Sequence, residues 1–302
     1  MSSNAIESAQ STEDASQEIS SQKVQSQLLD NETAASLNNA SSANGRSVNE
    51  RPASGSSANA GDPSAASFKK LVSALSDKRL KKQLQAIRSL ADMGETGESA
   101  LAEFVRDRMS AQTTAEPTAA HGSAYQMLYR AHSSAAKALI EEFPQGLVCP
   151  QSDKDMDYSD LQMLLVKQAY QEADKLTNQK LCALAGESAV ERKWVYFTEV
   201  SNIPSIDLQA IDIIWGLYSE DKFGWSKQRD LWMRLGQDWE RLWLQLQWKS
   251  AGGVWTRYPN EFVWELASAP AAHLPLSNQL RGVRTMDSLF AHPVWRFPWQ
   301  PE

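Results

Sequence analysis

The first 66 residues of this 302-residue chain contain no aromatic residue, and no tryptophan occurs before Trp194. Ser, Ala, Asn, Gln and Gly dominate that first stretch. So few apolar side chains cannot offset roughly 1–2 kcal/mol per residue of backbone ordering. The composition therefore predicts a disordered tail over residues 1–66.

Cysteine and histidine are also scarce. Cys149 and Cys182 are the only two cysteines, and neither lies in a metal-ligand spacing, which indicates two reduced thiols. The four histidines belong to no zinc-protease, nucleophile-elbow or phosphate-loop motif. We therefore expect no catalytic residue and no protein metal site, and the chain is predicted not to be an enzyme.

Long apolar runs are absent as well. No stretch approaches the roughly 18 apolar residues of a transmembrane helix. Early acids with no base before Lys23 argue against a secretory signal and a transit peptide, so we expect a cytoplasmic protein. The base-rich stretch from Phe68 to Arg88 lies in a part that is neutral overall and lacks aromatic platforms for stacking, so no nucleic-acid binding is predicted.

From Phe68 onwards the apolar residues follow helical spacing. Four of them between residues 80 and 90 share one helical face, and a longer helix is expected from about Ala124 to Glu142. Further on, Ser226 and Asp238 are predicted to cap helices. These patterns predict an all-α protein, with a small N-terminal helical bundle over residues 67–149 and a second helical domain over 158–297, joined by a polar linker.

The C-terminal half concentrates the aromatic residues, since all 11 tryptophans lie after residue 193. Trp215, Trp232 and Trp243 occupy helical stripes and are predicted to be structural. A second group falls in a stretch with two glycines and a proline, where no apolar period exists: Trp248, Trp255, Tyr258 and Phe262. Either this loop folds back on its own domain or it lines a flat apolar site, and the pattern leaves both possibilities open.

A polar strip follows the aromatic loop. Asn278, Arg281 and Arg284 are three residues apart and would lie on one side of a helix. Two arginines at this spacing are often surface charge, but they could also hold two carboxylates by charge-assisted hydrogen bonds. Beside an aromatic loop, they suggest a large planar dicarboxylate such as a porphyrin.

Several short stretches of the second domain match those of a known family in order. They are Asp160-Leu161-Gln162, Glu172-Ala173-Asp174, Phe223-Gly224-Trp225-Ser226, Ser268-Ala269-Pro270 and His273-Leu274-Pro275. In this series the chain resembles the genomes-uncoupled-four family of the cyanobacterial type, the porphyrin-binding activators of magnesium chelatase. Trp225 and Lys227 stand where that family usually has Phe and Val.

The resemblance implies a helical "cupped hand" whose concave face takes protoporphyrin IX or magnesium protoporphyrin IX. It implies that Trp248, Trp255, Tyr258 and Phe262 belong to one finger of the cup. It also implies that Asn278, Arg281 and Arg284 make polar contacts near the porphyrin carboxylates. The expected partner is the porphyrin-binding large subunit of magnesium chelatase, which the protein would stimulate in chlorophyll biosynthesis.

A different class of function stays open beside this one. The chain could be a helical scaffold, or a bilin-binding regulatory protein that does not activate the chelatase. We expect a monomer, and peripheral association with the thylakoid membrane stays open. An optical titration with a porphyrin separates a binder from a scaffold.

Overall fold

The computed structural model describes residues 63–110, 116–276 and 283–296. In chain order its α-helices are α1 (Pro63–Ala74), α2 (Leu80–Ala91), α3 (Glu95–Met109), α4 (Ala119–Arg130), α5 (Ser134–Glu142), α6 (Ser159–Val166), α7 (Tyr170–Ala185), α8 (Glu187–Arg192), α9 (Ser205–Leu217), α10 (Trp225–Arg234), α11 (Trp239–Gln245) and α12 (Val283–Phe290). Two 3-10 helices span Phe197–Asn202 and Pro293–Arg296. The all-α prediction is confirmed. The predicted disordered tail over 1–66 lies outside the described residues except for 63–66, which belong to α1.

None of the helices in the described ranges combines the length and the apolar content needed to cross a membrane. The one β-type pairing within these ranges is an isolated antiparallel bridge between Lys249 and Trp255.

Local capping explains where several helices begin. The Asp238 side chain accepts a hydrogen bond from the Arg241 backbone N–H at 3.1 Å and caps α11, as predicted. The single helix expected from Ala124 to Glu142 is wrong, because the chain breaks into α4 and α5. The Ser133 hydroxyl accepts from the Ala136 N–H at 3.2 Å and starts the second helix.

The start of α10 also differs from the prediction that Ser226 caps it. A cap at Ser226 would start the helix at Lys227, whereas it begins two residues earlier, at Trp225, and the Ser226 backbone N–H donates to Asp212 Oδ1 at 2.9 Å. A carboxylate at the N-terminus of a helix interacts favourably with the helix dipole. The cap therefore comes from α9, a distance of 14 residues along the chain.

One continuous hydrophobic core runs through both predicted helical parts. It includes Ile87 and Leu101 from the N-terminal helices together with Leu165, Ile211 and Trp215 from the later ones, all of them fully buried. The described residues from Ser67 onwards accordingly form one compact unit. The division into domains at 67–149 and 158–297 stays a prediction.

A buried polar network crosses between these parts. Gln126 Nε2 on α4 donates to the backbone oxygens of Leu165 and Tyr218 at 2.8 and 2.9 Å. The Tyr218 hydroxyl donates to Gln162 Oε1 at 2.8 Å and accepts from the Leu147 N–H at 2.8 Å. Because buried polar groups are costly when unpaired, this network holds α4 against α9 in one arrangement.

Gly122 on α4 packs directly against the end of α9. A Cβ atom at this position would lie 2.0 Å from the Leu217 backbone oxygen, which leaves no room for any side chain. The close approach of the two helices therefore requires glycine.

We predict that Gly122→Ala lowers the free energy of unfolding by about 2–3 kcal/mol, since the added methyl group must push two backbones apart. Gly216→Ala is the matched control within α9, because its nearest neighbouring atom would lie 3.7 Å away. That substitution should be neutral or stabilise by up to about 1 kcal/mol through helix propensity. Urea denaturation measures both, and equal effects would contradict the close-packing account.

Candidate ligand site

A second cluster of buried side chains, separate from the continuous core, gathers around α11, α12 and the segment between them. We call it the aromatic cluster. Its inner layer is buried and comprises Leu242, Trp243, Leu246, Trp248, Phe262, Ala272, Met286 and Phe290. Its outer layer is partly buried and comprises Leu231, Trp232, Leu235, Trp239, Trp255, Tyr258, Trp264 and Leu276. The outer layer thus keeps aromatic surface within reach of a ligand.

Four tryptophans form a row through this cluster. The ring centroids of Trp232 and Trp239 lie 4.7 Å apart, those of Trp239 and Trp243 lie 5.4 Å apart, and those of Trp243 and Trp248 lie 5.6 Å apart. The interplanar angles of the second and third pairs are 25° and 17°, which is close to parallel stacking, whereas the first pair is tilted by 33°. Helix α11 sets part of this order, because Trp239 and Trp243 are four residues apart on one face.

Two of the predicted site residues belong to the inner layer. Trp248 is fully buried, and its indole N–H donates to the His273 backbone oxygen at 2.9 Å. Phe262 is 6% exposed, and its ring centroid lies 5.3 Å from that of His273. A ligand can touch neither residue without displacing its neighbours, so in this arrangement both serve as a backing layer.

The other two aromatic residues of the predicted finger are half-buried in the outer layer. Trp255 lies 5.8 Å from Trp243 between ring centroids, and the Lys249 ammonium lies 5.3 Å from the Trp255 ring. Tyr258 packs edge-on against Phe262 at 5.6 Å. Part of the loop therefore folds back on its own domain and part stays half-buried, and that the loop lines a flat apolar site stays a prediction.

Trp232 and Trp239 are half-buried outer-layer residues that sequence reasoning missed. The helical stripe assigned Trp232 to the core, whereas the structure has it at the cluster's edge beside exposed Met233. One signal was available for Trp239. It directly follows the capping residue Asp238, and the first turn of a short capped helix often stays accessible.

Two buried polar atoms on α10 have no hydrogen-bond partner among the described residues. They are Gln228 Oε1 and Trp232 Nε1, which lie four residues apart and therefore on the same face of the helix. Unpaired buried polar atoms are rare in folded proteins because each costs about 1–3 kcal/mol. Because both atoms are buried, a ligand would reach them only if neighbouring side chains moved.

The polar strip is described only in part. Asn278 and Arg281 lie outside the described residues, whereas Arg284 is exposed on α12, with its guanidinium 5.4 Å from the Phe197 ring. Arg284 lies about 160° around the helix from Met286, which faces the aromatic cluster. The assignment of all three polar residues as ligand contacts stays a prediction.

The turn over residues 273–275 is held by bonds from three sides. Besides the Trp248 indole, Gln228 Nε2 donates to the Pro275 oxygen at 2.7 Å, and the Gly224 N–H donates to the Leu274 oxygen at 3.0 Å. Two of the stretches that carry the family resemblance therefore meet in space. Their contact fixes the end of the aromatic loop against α10.

Asp174 on α7 is a further residue at this site that sequence reasoning did not single out as functional. Its carboxylate is 3% exposed and accepts hydrogen bonds from the Leu276 backbone N–H at 2.6 Å and from the Tyr258 hydroxyl. Burial raises the pKa of Asp174 from 3.8 to about 7, although both bonds and the nearby Lys175 oppose the rise. The signal was its spacing, since Asp174 lies four residues after Tyr170 on the buried face.

The His273 imidazole has no nitrogen left for a metal. Nδ1 donates to the Leu246 oxygen at 2.6 Å, and Nε2 accepts from the Val263 N–H at 3.2 Å. Burial lowers the pKa of His273, which favours the neutral ring. Among the described residues no group of three or more metal-binding side chains converges. Cys149 is exposed, Cys182 is buried, and both are free.

Two family models match consecutive parts of the chain. Residues 151–293 match the family model described as GUN4-like, and residues 60–144 match the one described as ARM-like repeat domain, GUN4-N terminal. The Ycf53-like protein of Synechocystis sp. is 43% identical over 227 residues, covering 74% of this chain and 95% of that protein.

A plant relative and a solved structure are also similar to the chain. The chloroplastic tetrapyrrole-binding protein of Arabidopsis thaliana is 37% identical over 138 residues, covering 43% of this chain and 52% of that protein. The solved structure of GUN4 from Chlamydomonas reinhardtii is 35% identical and covers 50% of this chain and 95% of its own, with a TM-score of 0.46.

Proposed function

Because the chain belongs to the GUN4-like family, we propose that its C-terminal half binds a tetrapyrrole, with protoporphyrin IX and magnesium protoporphyrin IX as ligands. The outer layer of the aromatic cluster carries this proposal. It offers half-exposed indole and phenol rings on a stacked, buried backing, and a flat macrocycle is the ligand shape that such a surface suits. The printed name of the plant relative supports the same ligand class.

Apolar contact supplies most of the binding free energy in this proposal. Covering a few hundred Å² of macrocycle at about 25 cal/mol per Å² contributes several kcal/mol, enough to offset much of the cost of association. The backing layer is already packed before a ligand arrives, so little further ordering is needed. Polar contacts then orient the ligand and do not have to drive its binding.

Carboxylates and ring nitrogens of the ligand need polar partners. We assign the propionates to Asn278, Arg281 and Arg284, as the family resemblance implies. Charge-assisted hydrogen bonds of this type contribute roughly 1.5–3 kcal/mol each. The unpaired Gln228 Oε1 and Trp232 Nε1 are both buried, so they would become a further acceptor and donor only if neighbouring side chains moved.

The protein acts as a carrier and stimulator in this account. The porphyrin is presented to the porphyrin-binding large subunit of magnesium chelatase, and magnesium insertion takes place in that partner. His273 would hold the loop in place and leave the magnesium of the ligand uncoordinated, since both its ring nitrogens are engaged.

We predict that Trp239→Leu weakens protoporphyrin IX binding by about two- to tenfold, because a stacked ring contact is worth roughly 0.5–1.5 kcal/mol beyond its buried area. An optical titration measures the shift of the porphyrin's main absorption band together with the quenching of tryptophan emission. Trp295→Leu is the matched control, because Trp295 is also half-buried but packs against the continuous core. No spectral change with the wild-type chain at micromolar ligand would favour the scaffold alternative.

We expect Arg281→Ala combined with Arg284→Ala to weaken porphyrin binding more than folding, because two fixed charges near the propionates are lost. The loss should shrink at high salt, since screening weakens exposed ion pairs. Arg106→Ala with Arg108→Ala removes the same charge from α3 and serves as the control. Equal losses of melting temperature and affinity in the first double variant would count against the assignment.

The partner assignment has its own test. A pull-down with the chelatase subunits should recover more of the large subunit when the wild-type chain is loaded with porphyrin than when it is empty. The Arg281 and Arg284 double variant should lose that difference at the same ligand concentration. Equal recovery with and without porphyrin would contradict a porphyrin carrier that serves this subunit.

A further inference from the structure

Building on the proposed tetrapyrrole function, we propose that Asp174 is a positioning residue of the ligand site. Its carboxyl group determines whether the Tyr258 hydroxyl donates or accepts a hydrogen bond toward a bound ligand. The effect acts through Tyr258 and requires no contact between Asp174 and the ligand.

The geometry links Asp174 to two outer-layer residues of the aromatic cluster. Its Oδ1 accepts from the Leu276 backbone N–H at 2.6 Å, and the carboxyl also pairs with the Tyr258 hydroxyl. Leu276 and Tyr258 are both partly buried in the cluster, whereas Asp174 itself is buried on α7. The Asp174 side chain thus bonds to two residues of the candidate site, Tyr258 and Leu276, that are 18 residues apart in sequence.

The chemistry of the pair depends on one proton. An ionised carboxylate only accepts hydrogen bonds, so the Tyr258 O–H must point at Asp174 and leaves only lone pairs for a ligand. A protonated carboxyl keeps one oxygen for the Leu276 N–H and donates its own O–H to the Tyr258 oxygen. The Tyr258 hydrogen is then released to donate to a ligand oxygen.

Asp174 changes protonation near neutral pH because burial raises its pKa to about 7. On its own helix the nearby charge is Lys175, which favours ionisation. On the aromatic loop, Arg257 and Glu261 flank Tyr258 and pair with each other. His273 stays neutral across this range because burial lowers its pKa. Of these described groups, Asp174 is therefore the one whose pKa lies between pH 6 and 8.

A ligand with carboxylates should prefer the protonated form. That form offers the Tyr258 O–H as a hydrogen-bond donor to a ligand carboxylate, whereas the ionised form offers only lone pairs. Binding should therefore weaken as the pH rises through 7, in addition to any change that comes from the ligand itself.

The test is a set of protoporphyrin IX titrations with the full chain at pH 6, 7 and 8. Asp174→Asn keeps an amide oxygen for the Leu276 N–H and an amide N–H for the Tyr258 oxygen, so it imitates the protonated acid. The ratio of the wild-type Kd to the variant Kd should be close to one at pH 6 and rise to about tenfold at pH 8. Titration of the ligand's own carboxylates cancels in this ratio.

Two further variants separate positioning from general stability. Asp207→Asn is the matched control, because buried Asp207 also accepts from a tyrosine hydroxyl (Tyr158, 2.6 Å) and a backbone N–H (Asp153, 3.2 Å) but lies outside the aromatic cluster. Its Kd ratio to wild type should not change with pH. Tyr258→Phe removes the hydroxyl, so its affinity relative to Asp174→Asn should also be independent of pH.

Unfolding of the ligand-free chain gives an independent readout. The folded-state pKa of Asp174 lies above the unfolded value of 3.8, so the stability that its protonated form contributes is lost as the pH rises to 7. The Asp174→Asn variant should lack this loss. A Kd ratio that stays constant from pH 6 to 8 would overturn the positioning role alone. Absence of wild-type binding at every pH would overturn the proposed function and this inference together.

Discussion

Over the described residues 246–276 no helix satisfies the backbone N–H and C=O groups, and buried side chains take over part of that task. His273 pairs with Leu246 and Val263, Trp248 pairs with the His273 oxygen, and Asp174 pairs with the Leu276 N–H. Since an unpaired buried group costs about 1–3 kcal/mol, each bond selects one loop conformation over many. The positions of the aromatic rings depend on these bonds, because the described part of the loop has only an isolated bridge and turns as regular structure.

The helical elements could largely be predicted because helical periodicity is a local property. The all-α class and the Asp238 cap follow from residues within one or two turns. Two boundaries could not be predicted in this way. The break before Ser133 interrupts an apolar pattern that continues across it, and the cap of α10 comes from Asp212 on another helix. Both helix boundaries depend on packing interactions that cannot be read from the periodicity of apolar residues.

The candidate site was predictable at the level of the loop but not of its individual residues. The stretch from Trp248 to Phe262 is indicated both by its lack of a regular spacing of apolar residues and by the family resemblance. Which rings remain accessible depends on long-range contacts, such as the bond from the Trp248 indole to the His273 oxygen, 25 residues away. Trp248 is buried for that reason, whereas Trp239 on a regular helix stays half-exposed.

A site that holds a large flat ligand must combine exposed aromatic surface with rigidity, and these demands conflict. Exposed indoles on a mobile loop would collapse onto one another and lose the shape that a macrocycle needs. The inner layer resolves the conflict, because Trp243 and Trp248 are buried and stack behind the half-buried rings. In the proposed function, burial in that layer would contribute to binding indirectly, by fixing the outer rings before a ligand arrives.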